Sequence, residues 1–98
     1  MAEAEQQYRM PGAQSMQHAC KISIADDKPI MLDYWTESCD GNVVIGVREN
    51  GEKLLVKSEE EYTSPIAKIY RVDKEYLIIT ENSIYLTSDE IATRRLLS

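Results

Sequence analysis

The sequence predicts a mainly β domain of the α+β class, built as a small antiparallel barrel or a strongly bent sheet of about seven short strands. The chain between residues 20 and 87 consists of seven short apolar runs. Nearly all of them alternate between apolar and polar side chains, which is typical of half-buried strands. Turn-forming residues separate the runs. With 98 residues in total, we expect one compact domain over residues 19–98.

The first two predicted strands are residues 20–25 and residues 29–36, separated by a turn that contains Asp and Pro. In the second strand, Met31 and Trp35 share one face, and Ile30 points to the other. If the face of Met31 and Trp35 is covered, both residues belong to the core. If it is open, they form an apolar patch that a partner could contact.

A hairpin is predicted in the middle of the chain. Residues 43–49 form a nearly continuous apolar run, typical of a central strand covered on both faces. Asn50 and Gly51 join this run to residues 52–57. This dipeptide predicts a type I′ turn, because that turn needs positive φ at both central residues.

Three more strands are predicted at residues 66–72, 76–80 and 83–87, where apolar and polar residues again alternate. Pro65 precedes the first of them. Since proline has no N–H to donate to a neighbouring strand, its position predicts that residues 66–72 form an edge strand.

The two ends of the chain differ from the predicted sheet. Residues 1–18 are rich in Gln, Ala and Met and are broken by Pro11-Gly12, so we expect an N-terminal arm that is either flexible or ordered by a partner. At the other end, Thr87 and Glu90 have capping-box spacing. This spacing predicts a short C-terminal helix over residues 88–97 that docks on the sheet.

The composition disfavours two classes of partner. Eleven basic and seventeen acidic side chains give a net charge of −6. Phosphate backbones and anionic membrane surfaces are bound by excess positive charge, so we expect neither direct nucleic-acid binding nor a membrane partner. The sequence also lacks a run of about 18 apolar residues, the length that spans a membrane.

Cysteine usage indicates a reducing compartment. Residues 1–7 lack the basic start and apolar stretch of a secretory signal, and the only cysteines are Cys20 and Cys39. We therefore expect a cytoplasmic or nuclear protein, or a virion component. Together with His18, the two cysteines lack the paired spacing of a zinc site. The four glycines are scattered singly and form no phosphate-binding loop. No metal and no cofactor are expected.

The sequence offers no catalytic residues. A nucleophile needs a neighbouring base, and the only histidine, His18, lies in the predicted arm. Asp33 is the one carboxylate inside an apolar run, and alternation places it on the face opposite Leu32 and Tyr34, where strand carboxylates are usually solvated. We therefore expect a protein that is not an enzyme.

Candidate partner contacts come from the arm, from the Met31 face and from an acidic run that precedes a tyrosine. Methionine and tyrosine supply adaptable apolar anchors. The acidic run could dock a partner, although three adjacent charges most often belong to a solvated loop. The candidate contacts are Tyr8, Met10, Met31, Trp35, Glu59, Glu60, Glu61 and Tyr62.

The segment Thr63-Ser64-Pro65-Ile66, followed by Thr80-Glu81-Asn82-Ser83-Ile84-Tyr85, resembles small β proteins of phages and large DNA viruses that carry a T-x-N-S-x-Y hairpin. The resemblance covers residues 63–87. It implies a virion component or a host-interaction factor, and it carries over no catalytic residues.

The leading functional hypothesis is a non-enzymatic protein–protein interaction module, either a subunit of a larger assembly or a self-associating factor. One alternative is an acidic decoy that uses residues 59–61 to block a nucleic-acid-binding protein of the host. The other is a β domain that sequesters a small molecule or a nucleotide in a pocket lined by Tyr34, Tyr70 and Tyr85.

Overall fold

The computed structural model describes residues 9–96. Over this range, the chain forms two helices and seven strands. In chain order, the elements are α1 (Ala13–Asp26), β1 (Ile30–Met31), α2 (Trp35–Cys39), β2 (Val44–Val47), β3 (Lys53–Val56), β4 (Ile66–Val72), β5 (Glu75–Thr80), β6 (Ile84–Ser88) and β7 (Ala92–Arg95).

The strands form two separate sheets. The first sheet has the order β1-β6-β5-β4, and the second has the order β3-β2-β7. Neighbouring strands are antiparallel except for β1 with β6 and β2 with β7, which are parallel. The mainly β class is therefore confirmed. The strands form neither the predicted barrel nor one strongly bent sheet, because they divide into two sheets that each end in edge strands.

The first sheet is the central layer, with an apolar cluster on each face. One cluster lies between this sheet and the helices, and it consists of Ala19, Trp35, Leu77, Ile79, Ile84 and Leu86. The other lies between the two sheets, and it consists of Tyr34, Val43, Ile45, Leu55 and Ile78. Because successive side chains of β5 point to opposite faces, its continuous apolar run fills both clusters.

The predicted strand at residues 20–25 is wrong, because these residues belong to α1. The prediction depended on the alternation of Ile22 and Ile24. In the helix, Ser15 and Ala19 are buried and Ile22 is half-buried, which is one helical stripe, whereas Ile24 is 83% exposed. Small residues carry the buried stripe, so the helical period is weak in the sequence.

The predicted boundary of the arm at residue 18 falls inside α1, since residues 13–18 are helical. The helix is also tied to the first sheet just before its first turn, where the Gly12 N–H donates to the Glu75 carboxylate at 3.0 Å. The earlier part of the predicted arm, including Tyr8, lies outside the described residues.

The predicted strand at residues 29–36 is shorter than expected, because only Ile30–Met31 pairs with β6. The chain then turns into α2, with the Trp35 N–H donating to the Leu32 carbonyl at 3.1 Å. This turn lets the adjacent residues Tyr34 and Trp35 both be buried, one in each apolar cluster.

The predicted C-terminal helix is wrong, because Ala92–Arg95 forms β7 along the open edge of β2. A helix of about ten residues is only marginally stable by itself. Pairing with β2 instead gives the backbone groups of this segment hydrogen-bond partners. The packing favours the strand as well. A Cβ on Gly46 would lie 2.8 Å from Leu96 Cδ1, so the missing side chain leaves room for Leu96.

The predicted hairpin at Asn50-Gly51 is confirmed, since β2 and β3 are antiparallel. The turn type differs from the expected I′. Gly51 has φ +92°, but Asn50 is not among the described residues with positive φ. The Gly51 N–H donates to the Arg48 carbonyl at 2.9 Å, which fits a three-residue loop with a glycine in the left-handed region. Strands β4, β5 and β6 agree with the predicted ranges to within one residue.

Candidate functional site

Strand β4 has the most exposed edge of the first sheet. It is the outermost strand and, at seven residues, the longest in the described chain. Residues 67–71 are all exposed, including the apolar side chains of Ile69 (36%) and Tyr70 (43%). The edge prediction from Pro65 is therefore confirmed. An exposed edge of this length offers a template for pairing with another chain.

The backbone groups of Ile69 and Arg71 point away from the sheet. Val72 pairs with Glu75 across a two-residue turn, so these two residues form the hydrogen-bonded closing pair. In an antiparallel ladder, hydrogen-bonded pairs alternate with pairs that direct their N–H and C=O groups outward. Tyr70 therefore bonds to β5, while Ile69 and Arg71 face solvent. No other described group hydrogen-bonds to their backbone.

A β-bulge limits the regular part of this edge. The register between β4 and β5 shifts around Ala67, because Ile66 pairs with Thr80 while Lys68 pairs with Ile79. A bulge twists an edge strand locally, and an edge lysine disfavours indiscriminate pairing. The segment that remains regular is residues 68–72, so a partner must fit this short stretch.

A groove separates β4 from α1. It consists of two cavities of about 520 and 470 Å³, and Ile22 and Tyr70 line both of them. Leu77 and Val72 add apolar surface to the larger cavity. We call this feature the helix groove. It lies on the face of β4 that also carries Lys68.

A second groove lies on the opposite face of β4, against the tip of the β2–β3 hairpin. Its volume is about 360 Å³, and residues 51–53 and 65–69 line it. We call it the hairpin groove. Because side chains alternate along a strand, a strand added beside β4 would direct successive side chains into the helix groove and the hairpin groove in turn.

The rims of the two grooves have an excess of positive charge. The charged residues that line them are Lys28, Lys53, Lys68, Arg71, Asp26, Glu52 and Asp73. Arg71 already pairs with Asp89 at 2.8 Å, and the Lys28 ammonium donates to the Thr80 carbonyl at 2.8 Å. Lys53 and Lys68 form no salt bridge within residues 9–96. Acidic side chains outnumber basic ones in the whole chain, which has a net charge of −6. Along the two grooves, basic side chains outnumber acidic ones.

The wall of the helix groove is fixed by Glu75 at the start of β5. Its carboxylate accepts the Gly12 N–H at 3.0 and 3.1 Å, and the Ser15 hydroxyl donates to it as well. The first turn of α1 has no acidic residue and no side-chain cap of its own. Glu75 therefore supplies the negative charge that a helix N-terminus favours, and it couples α1 to the strand next to β4.

Comparisons with known proteins give no relative for this chain. No protein-family model, no curated protein and no solved structure matches it. The resemblance of residues 63–87 to viral β proteins therefore stays a prediction.

Of the candidate contacts predicted from residues 1–36, the structure describes Met10, Met31 and Trp35. Met10 is 72% exposed and Met31 is 36% exposed. Trp35, by contrast, is buried in the cluster beneath α1, and its indole N–H donates to the Arg9 carbonyl at 2.8 Å. Trp35 is therefore a core residue, which is the alternative predicted from the sequence for a covered face, and it is not exposed to a partner in this structure. Tyr8 lies before the described range.

The acidic candidates follow β3 at the edge of the second sheet. Glu59, Glu60 and Glu61 are exposed in a tight turn, where the Ser58 hydroxyl accepts the N–H groups of Glu60 and Glu61. Tyr62 is 52% exposed and bridges back to β3. With Arg48 and Arg95, Glu59 and Tyr62 line a separate cavity of about 500 Å³. The structure does not bring them to the β4 edge.

The three tyrosines proposed to line a pocket do not meet. Tyr34 and Tyr85 pack edge to face with ring centroids 5.4 Å apart, between the two sheets. Burial raises the pKa of Tyr34 to about 12 and also raises the pKa of Tyr85. Tyr70 lines the helix groove on the other face of the first sheet. The pocket expected from this trio is therefore wrong.

The residues considered for catalysis and metal binding are dispersed. His18 and Cys20 are exposed on α1, and Cys39 is half-buried in α2, where burial raises the pKa of its thiol. Within residues 9–96, no group of three or more His, Cys, Asp or Glu side chains is placed to hold a metal ion. Neither helix in that range has the length and apolar character needed to cross a membrane.

The helix groove is the feature that the sequence interpretation missed. Its lining requires Ile22 to lie on a helix, whereas the alternation around Ile24 predicted a strand there. Ser15, Ala19 and Ile22 share one helical face. This spacing is the signal that could have found the helix, although two of the three residues are small.

Proposed function

We propose that this protein is a non-enzymatic protein–protein interaction domain that adds an extended segment of its partner as a strand to the edge of β4. The observation that carries the proposal is the pair of outward-facing backbone positions, Ile69 and Arg71, between two grooves. In this mode of recognition, main-chain hydrogen bonds supply affinity, and pockets for alternate side chains supply specificity.

The domain acts in this proposal as a docking subunit of a larger assembly. Ile69 and Tyr70 support it, because their exposed apolar side chains offer contact surface on both faces of this edge. The excess of acidic residues in the whole chain supports a protein partner over a nucleic acid. A role in a virion would follow from the resemblance of residues 63–87.

A proline substitution tests the edge directly. Crosslinking mass spectrometry on the native source identifies the partner, and calorimetry on the purified pair measures its affinity. Ile69→Pro removes an outward N–H without removing a bond to β5. We expect it to weaken binding by about tenfold or more, because it removes a main-chain bond and crowds the edge.

Ile69→Ala is the matched control, because it shortens the same side chain but keeps the N–H. It should weaken binding less than Ile69→Pro does. In the complex, amide hydrogen exchange should slow at Ile69 and Arg71. Equal affinity of the wild type and a folded Ile69→Pro variant would contradict the proposal. Catalytic turnover of any substrate by the purified protein would contradict its non-enzymatic part.

A further inference from the structure

We infer that the strand accepted by β4 belongs to a different protein and carries the pattern apolar–apolar–acidic, with its carboxylate beside Lys68. This inference rests on the proposed function and specifies the chemistry of the partner. It is carried by the charges on the groove rims and by the order of side chains along residues 68–70.

The charge balance selects an acidic partner. Four cationic side chains line the two grooves against three carboxylates, Asp26, Glu52 and Asp73, and one of the four, Arg71, is already paired with Asp89. Glu52 is already paired with Arg48 at 3.4 Å. Lys68 lines both grooves and has no carboxylate partner in the described part of the chain. A carboxylate on an added strand would complement it and speed the encounter of the two proteins.

The side-chain order along β4 sets the order in the partner. Lys68 and Tyr70 share the helix-groove face, and Ile69 points toward the hairpin groove. Antiparallel pairs of strands outnumber parallel ones about two- to three-fold, so we take the added strand as antiparallel to β4. In that direction it passes Tyr70, then Ile69, then Lys68. Beside Tyr70, the apolar wall of Ile22 and Leu77 suits an apolar side chain. Beside Ile69, a cross-strand apolar residue is favoured.

A second copy of the chain fits this edge less well. Strand β4, Ile66–Val72, contains no carboxylate. Pairing two β4 strands around a two-fold axis would bring two copies each of Lys68 and Arg71 into one ladder. Like charges are destabilising where the register places them directly opposite each other. In such a dimer, β4 of the second copy would supply no carboxylate to pair with Lys68.

The test is selection from a phage library of random peptides of about twelve residues. The wild-type protein should enrich peptides with the pattern apolar–apolar–acidic, and Lys68→Glu should enrich peptides with a basic residue at the acidic position. Arg94→Glu is the matched control, since it makes the same change in net charge on β7 of the other sheet. For one enriched peptide, Lys68→Glu should raise Kd about tenfold and Arg94→Glu by less than about twofold.

The outcomes separate this inference from the proposed function. Enriched peptides that lack an acidic residue, lose binding in Ile69→Pro and keep it in Lys68→Glu would overturn the inference and leave β4 as the contact edge. A wild-type dimer that Ile69→Pro dissociates would also overturn it, in favour of a second copy. Peptides whose binding is indifferent to Ile69→Pro would overturn both proposals.

Discussion

At the scale of single residues, the burial of Tyr34 makes the stability of the protein depend on pH. Its ring is 5% exposed, between the sheets, and the Lys57 ammonium lies 4.7 Å from its centroid. Burial raises the pKa of Tyr34 to about 12, with smaller effects in the same direction from Tyr85 and two carboxylates. In the unfolded chain, a tyrosine has a pKa of about 10.

The pH dependence of stability follows from this difference. The folded state holds the phenolic proton more tightly than the unfolded state, so the contribution is complete below pH ~10 and is lost progressively as pH rises towards ~12. We expect the urea midpoint to fall over this interval. Tyr34→Phe removes the phenol, and its midpoint should fall less steeply. Equal slopes for the wild type and Tyr34→Phe would contradict the prediction.

At the scale of elements, the attachment of α1 to the sheet depends on one carboxylate. Glu75 accepts the Gly12 N–H and the Ser15 hydroxyl. Ser15 is 1% exposed, so the loss of its acceptor leaves a buried hydroxyl without a partner. We expect Glu75→Ala to lower the free energy of unfolding by about 1–2 kcal/mol, measured by urea denaturation.

Hydrogen exchange in the first turn of α1 should become faster in the same variant. Glu90→Ala is the matched control, because Glu90 is an exposed glutamate in a loop. Its effect on stability should stay within about 0.5 kcal/mol. If Glu75→Ala and Glu90→Ala had the same effect, the carboxylate of Glu75 would not be what holds the helix.

The elements that the sequence predicted well are those whose local pattern and tertiary contacts agree. In β4, β5 and β6, alternation and turn chemistry point to the same strands. In α1, the buried stripe uses Ser15 and Ala19, so hydrophobicity alone placed Ile22 in a strand. In β7, the capping-box spacing at Thr87 and Glu90 predicted a helix. Pairing with β2 and the packing of Leu96 over Gly46 prevailed.

The candidate site was predictable only in part for the same reason. Pro65 marks β4 as an edge strand, and that property is local. The helix groove depends on α1 packing across the first sheet, where residues 14–22 meet residues 70–77. No pattern among neighbouring residues in the sequence predicts this contact between two distant segments. The acidic run at residues 59–61 was predicted as a contact from its charge alone, but it lies beside the other sheet.

At the scale of the whole molecule, the first sheet is shared by the two apolar clusters. Leu77 and Ile79 fill the cluster beneath α1, while Ile78, between them in β5, fills the cluster between the sheets. All three side chains are at most 4% exposed. Because one strand contributes to both clusters, loss of packing on either side loosens the strand that the other side needs.

This arrangement predicts a single cooperative unfolding transition. Trp35, the only tryptophan, reports on the cluster beneath α1, whereas Ile78→Ala opens a cavity in the other cluster. We expect Ile78→Ala to lower the free energy of unfolding by about 2–5 kcal/mol. The urea midpoint of Trp35 fluorescence should shift together with that of far-ultraviolet circular dichroism. A fluorescence midpoint that stays at its wild-type position while the dichroism midpoint falls would show that the second sheet unfolds independently.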